Sequence, residues 1–300
     1  MTKTLGKTIS VAVAGNPNSG KTTIFNNLTG ARQRVGNYPG VTVEWKKGTH
    51  RRGDVKLDLV DLPGTYSLTA FSEEELVARD YLLNTSPDVV VNVVDASNLE
   101  RNLFLTTELL EIGRPLVLVL NMTDVARDRG LNIDVARLAE KLGVPVVPAI
   151  GNRGVGMDDL IEAVMQVAVS RADLPGPAGM CRESGPGPAS LAALETGGPS
   201  RVNYGPEVEK VIDEIEDLLP DSEYRRWQAV KLLGSDEKVV EQAAVPGTRE
   251  AIAGLAASFA ETTTDEPDIL LARLRYEFIS GVCEGVIRAP ASAKVTVSDR

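Results

Sequence analysis

Cysteine and histidine are nearly absent from this chain. The two cysteines, Cys181 and Cys283, stand far apart and lack metal-ligand spacing. They support neither a disulfide framework nor a zinc site, and they point to a reducing compartment. The single histidine, His50, sits in a Lys- and Arg-rich stretch and cannot build a histidine metal centre alone. Long apolar runs are missing too. None reaches the length of a membrane span, and the N-terminal segment does not read as a signal peptide. Nor is there an excess of basic charge. The net charge is −10. Residues 1–173 carry 19 basic and 21 acidic side chains and residues 201–300 carry 12 and 19, so most of the acidity is C-terminal. An RNA-binding appendage carries a basic surface, so no nucleic-acid partner is expected.

What is present is the composition of a soluble globular protein, with 43% hydrophobic and 25% charged residues. Three hundred residues allow one large domain or two medium ones. The pattern divides into residues 1–173, a Pro/Gly-rich linker or loop at 174–200, and residues 201–300. In the linker, 11 of 27 residues are Gly or Pro.

The first part alternates strand and helix patterns. Candidate strands are 9–14, 41–49, 55–61, 88–94, 116–121 and 144–149. Candidate helices are 21–28, 73–83, 100–112, 134–142 and 157–170. Short, fully apolar strands alternating with helices predict an α/β domain built on a mostly parallel six-stranded sheet covered on both faces. The turn Arg51-Arg52-Gly53-Asp54 predicts an antiparallel hairpin at one edge. After the linker the chain reads as a small all-α domain. Val208, Val211, Ile212, Ile215, Leu218 and Leu219 share one helical face. Residues 224–233 and 250–259 are helical, and a long last helix is predicted over 267–287.

Four blocks carry chemistry. Gly15-Asn16-Pro17-Asn18-Ser19-Gly20-Lys21-Thr22 matches the phosphate-loop pattern G-x-x-x-x-G-K-[ST], between a strand and a helix, and Thr23 follows it. Gly15 and Gly20 let backbone N–H groups turn inward around phosphates at a helix N-terminus. Lys21 reaches the terminal phosphates, and Thr22 offers its hydroxyl to Mg²⁺. In the second block, Gly40, Val41 and Thr42 close a Gly-, Asn- and Pro-rich stretch at 31–41 with no periodicity. That stretch is expected to be a mobile loop ordered by GTP and Mg²⁺, with Thr42 completing the Mg²⁺ shell. The third block is Asp61-Leu62-Pro63-Gly64. Asp61 should hold Mg²⁺ through water, and the Gly64 N–H should face the γ-phosphate.

The fourth block, Asn121-Met122-Thr123-Asp124, selects the base. A carboxylate at Asp124 accepts two donors from the guanine edge, whereas adenine would leave it unpaired. Met122 replaces the usual lysine, and its thioether can pack over the base. A fifth, weaker block ends in Ala149-Ile150-Gly151, where GTPases often carry Ser-Ala with a backbone N–H on the guanine carbonyl. The bound species expected are therefore GTP or GDP with Mg²⁺, and the activity is GTP hydrolysis. The catalytic set is Asn18, Lys21, Thr42 and Gly64. Thr65 stands where many small GTPases place a water-orienting glutamine. Asn18 has two readings: its side-chain oxygen binds K⁺ between the phosphates and stimulates hydrolysis, or it only shapes the turn.

Taken together, these residues resemble the cytosolic N-terminal region of the ferrous iron transport protein B family. The resemblance rests on the phosphate loop through Thr23, on Asn37-Tyr38-Pro39-Gly40-Val41-Thr42-Val43-Glu44, on Asp61-Leu62-Pro63-Gly64-Thr65-Tyr66-Ser67-Leu68, and on the methionine at 122. It extends past the linker. Arg226-Trp227-Gln228-Ala229-Val230-Lys231-Leu232-Leu233 and Ala272-Arg273-Leu274-Arg275-Tyr276-Glu277-Phe278-Ile279 are similar to that family's helical spacer domain. The resemblance implies a P-loop GTPase domain coupled through the helical domain to a C-terminal polytopic membrane domain that carries Fe²⁺. It also implies a place at the cytoplasmic face of the bacterial inner membrane and leaves homo-oligomers possible. The competing readings are a ribosome- or tRNA-associated GTPase and a regulatory switch without a membrane partner.

Overall fold

A computed structural model of the chain describes residues 7–30, 32–38, 41–69, 72–172, 201–242 and 248–288. Gly40, the linker 174–200 with Cys181, and residues 295–300 lie outside the described residues. The elements run β1 (Thr8–Gly15), α1 (Lys21–Thr29), β2 (Gln33–Asn37), β3 (Glu44–Arg52), β4 (Val55–Asp61), α2 (Glu73–Thr85), β5 (Val89–Asp95) and α3 (Leu99–Ile112). Next come β6 (Leu116–Asn121), α4 (Thr123–Asp128), β7 (Asn132–Ile133), α5 (Val135–Leu142), β8 (Val146–Pro148) and α6 (Met157–Ala172). The helical part follows as α7 (Pro206–Leu218), α8 (Arg225–Leu233), α9 (Glu237–Gln242), α10 (Thr248–Thr262), α11 (Pro267–Cys283) and a last strand β9 (Ile287–Arg288).

The main sheet has seven strands in the order β2-β3-β4-β1-β5-β6-β8. The strands β4, β1, β5, β6 and β8 are mutually parallel, and β2 and β3 are antiparallel at one edge. β5 and β6 read VVVNVVD and LVLVLN and are buried almost throughout, as a parallel strand covered on both faces must be. Successive side chains alternate between two apolar clusters. Val11, Val13, Val91 and Val119 meet Ile24, Phe25 and Leu28 of α1 and Leu160, Ile161 and Val164 of α6. Ala12, Val90, Leu118 and Leu120 meet α2, α3 and α5 on the other face. That second cluster continues without a break into Val208, Ile212, Ile215, Trp227, Val230, Leu271 and Val282 of the helical part.

The α/β class, the parallel sheet, the hairpin and the helical second part agree with the sequence expectations. Three details differ. The sheet has a seventh strand, because β2 lies inside the stretch 31–41 expected to be a mobile loop. It adds to the open edge of β3 from Gln33↔Gly48 to Asn37↔Glu44. Only tertiary contact decides such a pairing, since an edge strand needs no apolar alternation. The last helix stops at Cys283, not 287. Gly285 then turns at φ +69°, and Ile287–Arg288 pairs antiparallel with β7. The short helices α4 and α9 were not expected. Among the described residues no helix is long and apolar enough to cross a membrane.

Candidate functional site

The chemistry-bearing blocks collect at the carboxyl ends of parallel strands. Gly15 ends β1, Asp61 ends β4, Asn121 ends β6, and Ala149 follows β8. The chain leaves β1 for one side of the sheet and returns on the other, so the order reverses there. That reversal opens the crevice in which α/β proteins bind ligands.

Residues 15–22 wrap the N-terminus of α1. Gly20 caps the helix at φ +81° and no side chain caps it, so the first N–H groups stay open to an anion. Both motif glycines are sterically required. A Cβ at Gly15 would lie 2.5 Å from the Val93 carbonyl oxygen, and one at Gly20 would lie 2.3 Å from Asn121 Nδ2. The Asn16 amide and the Ser19 hydroxyl are buried without a hydrogen-bond partner. Such orphans are rare and point to a polar ligand. Asn18 is exposed and takes φ +66°, a left-handed conformation asparagine tolerates. Pro17 is partly buried, and Thr23 is exposed on α1.

Lys21 Nζ donates to Asp61 Oδ1, and Thr22 Oγ1 donates to Asp61 Oδ2 at 3.3 Å. Lys21 and Asp61 are 8% and 6% exposed. Burial pulls the Lys21 ammonium below its usual value although Asp61 opposes the shift. The adjacent carboxylate and hydroxyl are hard oxygen donors that suit Mg²⁺. Thr42 is exposed just before β3. Among the described residues no hydrogen bond joins it to Thr22 or Asp61. Val41 N donates to Tyr38 O at 3.3 Å. The Tyr38 hydroxyl is buried without a partner, and burial, aided by Tyr81 and Asp61, pushes its phenol up. Gly64 stands against the phosphate loop, where a Cβ would lie 3.4 Å from Pro17 Cα, and Thr65 N donates to Gly15 O at 3.3 Å.

At the far end Asn121 works as a staple. Its Nδ2 donates to Ser19 O and its Oδ1 accepts from Gly151 N, both at 2.9 Å. It thus ties the phosphate loop to the 149–151 loop. Met122 takes φ +60°, and its methyl would sit 3.5 Å from a Cβ at Gly20. The Asp124 carboxylate is partly exposed. Oδ1 accepts from Val125 N at 3.0 Å, and Oδ2 lies 3.9 Å from Arg153 Nη2. The expected backbone donor at 149–151 is not open here. Ala149 N donates to Leu120 O at 2.8 Å, Ile150 N to Val155 O at 3.2 Å, and Gly151 N to Asn121. Sequence reading missed the staple role of Asn121. It also missed Asn27, whose Nδ2 donates to Gly151 O at 2.6 Å. No sequence signal marks Asn27, because its partner is 124 residues away.

The comparisons with known proteins agree across both parts. The family model for ferrous iron transport protein B matches residues 9–164, and a model for the FeoB cytosolic helical domain matches 204–288. A Fe(2+) transport protein A/Fe(2+) transporter FeoB fusion protein from Porphyromonas gingivalis is 38% identical over 98% of this chain and 34% of its own length. The Fe(2+) transporter FeoB of Salmonella typhimurium is 38% identical over 93% of this chain and 33% of its own. The chain therefore spans about a third of the length of the curated relatives it matches. Among solved structures, a mutant S. thermophilus NFeoB bound to GDP superposes with a TM-score of 0.78 at 36% identity, covering 93% of this chain and 100% of that one. The cytosolic domain of L. pneumophila FeoB gives 0.75 at 31% identity over 93% and 99%.

Proposed function

This chain belongs to the ferrous iron transport protein B family, and from that premise we propose that it binds and hydrolyses GTP to operate a Fe²⁺-carrying membrane domain. The observation that carries the reading is the joined site. A phosphate loop with two orphaned polar side chains is stapled through Asn121 to the 149–151 loop that follows β8. The S. thermophilus relative bound to GDP supports a guanine nucleotide.

In this reading residues 15–23 cradle the phosphates, and Lys21 leaves Asp61 for the β- and γ-phosphates. Thr22, Asp61 and Thr42 would hold Mg²⁺, which neutralises charge on the leaving phosphates. The Gly64 N–H faces the γ-phosphate. Asp124 takes the guanine donors, Met122 covers the base, and the 149–151 loop closes over it. Asn18 would hold K⁺, supplying positive charge where an arginine finger otherwise acts. The chain works at the cytoplasmic face of the inner membrane. Residues 1–173 form the GTPase unit, 201–300 the helical spacer, and 174–200 the linker between them.

Two experiments test this. Fluorescent GTP and ATP analogues should bind with at least about hundredfold preference for GTP. Equal binding would refute guanine selection. In the full-length protein, Lys21→Ala should abolish GTP-dependent Fe²⁺ uptake while membrane insertion persists. Undiminished uptake by a variant verified to be nucleotide-free would refute the coupling. The K⁺ assignment stands apart: replacing K⁺ by Na⁺ should slow turnover, and Asn18→Ala should erase the difference.

A further inference from the structure

Glu108 of α3 is fully buried, and a carboxylate so placed needs partners. It has two, from distant parts of the chain. Oε2 accepts the Leu68 backbone N–H at 2.5 Å, and Oε1 accepts Lys231 Nζ of α8 at 2.7 Å. Lys231 is only 4% exposed. One turn along α3, Glu111 is gripped by Arg275 of α11 at 2.9 Å. Leu68 lies four residues after Gly64, and the stretch between them is pinned at both ends. Thr65 N–H is tied to the phosphate loop at Gly15 O, and Leu68 N–H is tied to Glu108. The turn after α8 also grips α2 of the first part: Asp236 accepts from Arg79 at 3.0 and 3.2 Å.

We propose that Lys231 of the helical part is a positioning residue for GTP hydrolysis, acting through Glu108 and Leu68 on the backbone at Gly64. The role rests on the GTPase reading above. Lys231 neutralises Glu108 and so keeps it an ionised, strong acceptor for the Leu68 N–H. Without Lys231, the buried carboxylate loses its side-chain hydrogen-bond donor and keeps only the charge of Arg275 nearby, so it takes up a proton more readily or turns away, and the charge-assisted bond to Leu68 weakens. A cavity of about 780 Å³ beside the pair, lined by Ser67, Thr69, Phe104, Lys231 and Arg275, leaves the stretch room to shift. A displaced catalytic backbone group costs rate more than binding. The helical part thereby sets the alignment of the γ-phosphate-facing loop without touching the nucleotide.

The test compares Lys231→Met, Lys231→Arg and the double variant Lys231→Met with Glu108→Gln. It reads kcat and KM for GTP, together with hydrogen exchange at the Leu68 amide without nucleotide. Lys231→Met should lower kcat on the order of tenfold or more, with KM held within about threefold, and should speed Leu68 exchange. Lys231→Arg restores the charge and should recover both readouts. The double variant should recover them too, because a neutral amide oxygen accepts the Leu68 N–H without needing a cation. Wild-type kcat in Lys231→Met would overturn the proposal, as would equal loss of kcat and nucleotide affinity. If Lys231→Met fails to fold, the double variant decides, since it buries no unpaired charge: near-wild-type kcat supports the role and slow turnover overturns it. A wild type that hydrolysed no GTP would instead sink the GTPase reading, and Leu68 exchange would still report whether the tie exists.

Discussion

Gly20 admits no side chain. Its φ of +81° lies in the left-handed region, and a Cβ there would strike the amide of Asn121. Gly20→Ala is therefore expected to cost ~1–2 kcal/mol of backbone strain and also to break the Asn121 staple. It should remove GDP binding, measured by titration calorimetry, while circular dichroism still reports a folded sheet. Binding at wild-type strength would show that the staple is dispensable. Asp124 invites a different substitution. Its carboxylate is only partly exposed and is held by its neighbour's N–H and by a long ion pair with the exposed Arg153. Asp124→Asn should weaken GTP binding by about tenfold or more and improve xanthosine triphosphate binding, because the xanthine edge carries an acceptor where guanine has a donor. Unchanged base preference would place selection elsewhere. The three N–H groups at 149–151 are engaged inside the protein, so in the proposed site Asp124 is the group left to select the base.

At the scale of elements, the edge of the sheet and the head of α2 matter most. β2 and β3 form an antiparallel ribbon at the sheet edge, and Thr42 stands two residues before β3. Its side chain is exposed and lies outside the paired register, which ends at Asn37↔Glu44. Thr42→Ala should lower GTP hydrolysis on the order of tenfold or more and change GDP affinity by less than about threefold. Equal losses would assign Thr42 to ground-state binding alone. α2 starts with a capping box: Ser72 Oγ accepts from Glu75 N, and Glu75 reaches back to Ser72 N. Glu75 Oε1 also accepts from Ser67 Oγ at 3.0 Å. Glu75 thus ties Ser67, three residues after Gly64, to the first turn of α2. At the other end of the chain, Lys141 donates to the carbonyls of Gly281 and Glu284 and caps α11 just before β9 pairs with β7.

The molecule as a whole is stitched by buried charge across its two parts. Glu108–Lys231, Glu111–Arg275 and Arg79–Asp236 all join the first part to the helical one, and every partner is nearly inaccessible. Buried pairs of this kind add little net stability but are costly to break singly. They also make stability depend on pH. Burial alone would raise the Glu108 carboxyl. The charges of Lys231 and Arg275, with hydrogen bonds from Lys231 and Leu68 N, outweigh it and hold the group below its ordinary 4.5. A depressed folded value means the contribution is full above about 4.5 and is lost as pH falls further. Urea unfolding between pH 7 and pH 3 should show a steeper loss below about 4.5 in wild type than in the double variant Glu108→Gln, Lys231→Met. Parallel curves would mean that Glu108 titrates as in the unfolded chain.

Much of this was legible before any fold was known. The run of apolar strands alternating with helices sufficed for the parallel sheet, because burial on both faces demands it. Gly15, Gly20, Lys21, Thr22, Asp61, Asn121 and Asp124 could be picked out because each sits in a motif of fixed local spacing, and the fold brings those motifs to one end of the sheet. β2 was illegible, since an edge strand is chosen by the neighbour it finds and not by its own pattern. The end of α11 was hidden for the same reason: the helical reading ran to residue 287, and only the ladder with β7 turned Ile287–Arg288 into a strand. Likewise, nothing in the local pattern around Glu108, Leu68 and Lys231 links them. Charge pairing in a buried site depends on distance in space, and residues 123 apart in sequence meet only after the helical part has closed over α3. The sequence by itself determined the chemistry at the strand ends, and the tertiary structure decided which distant side chains hold that chemistry in place.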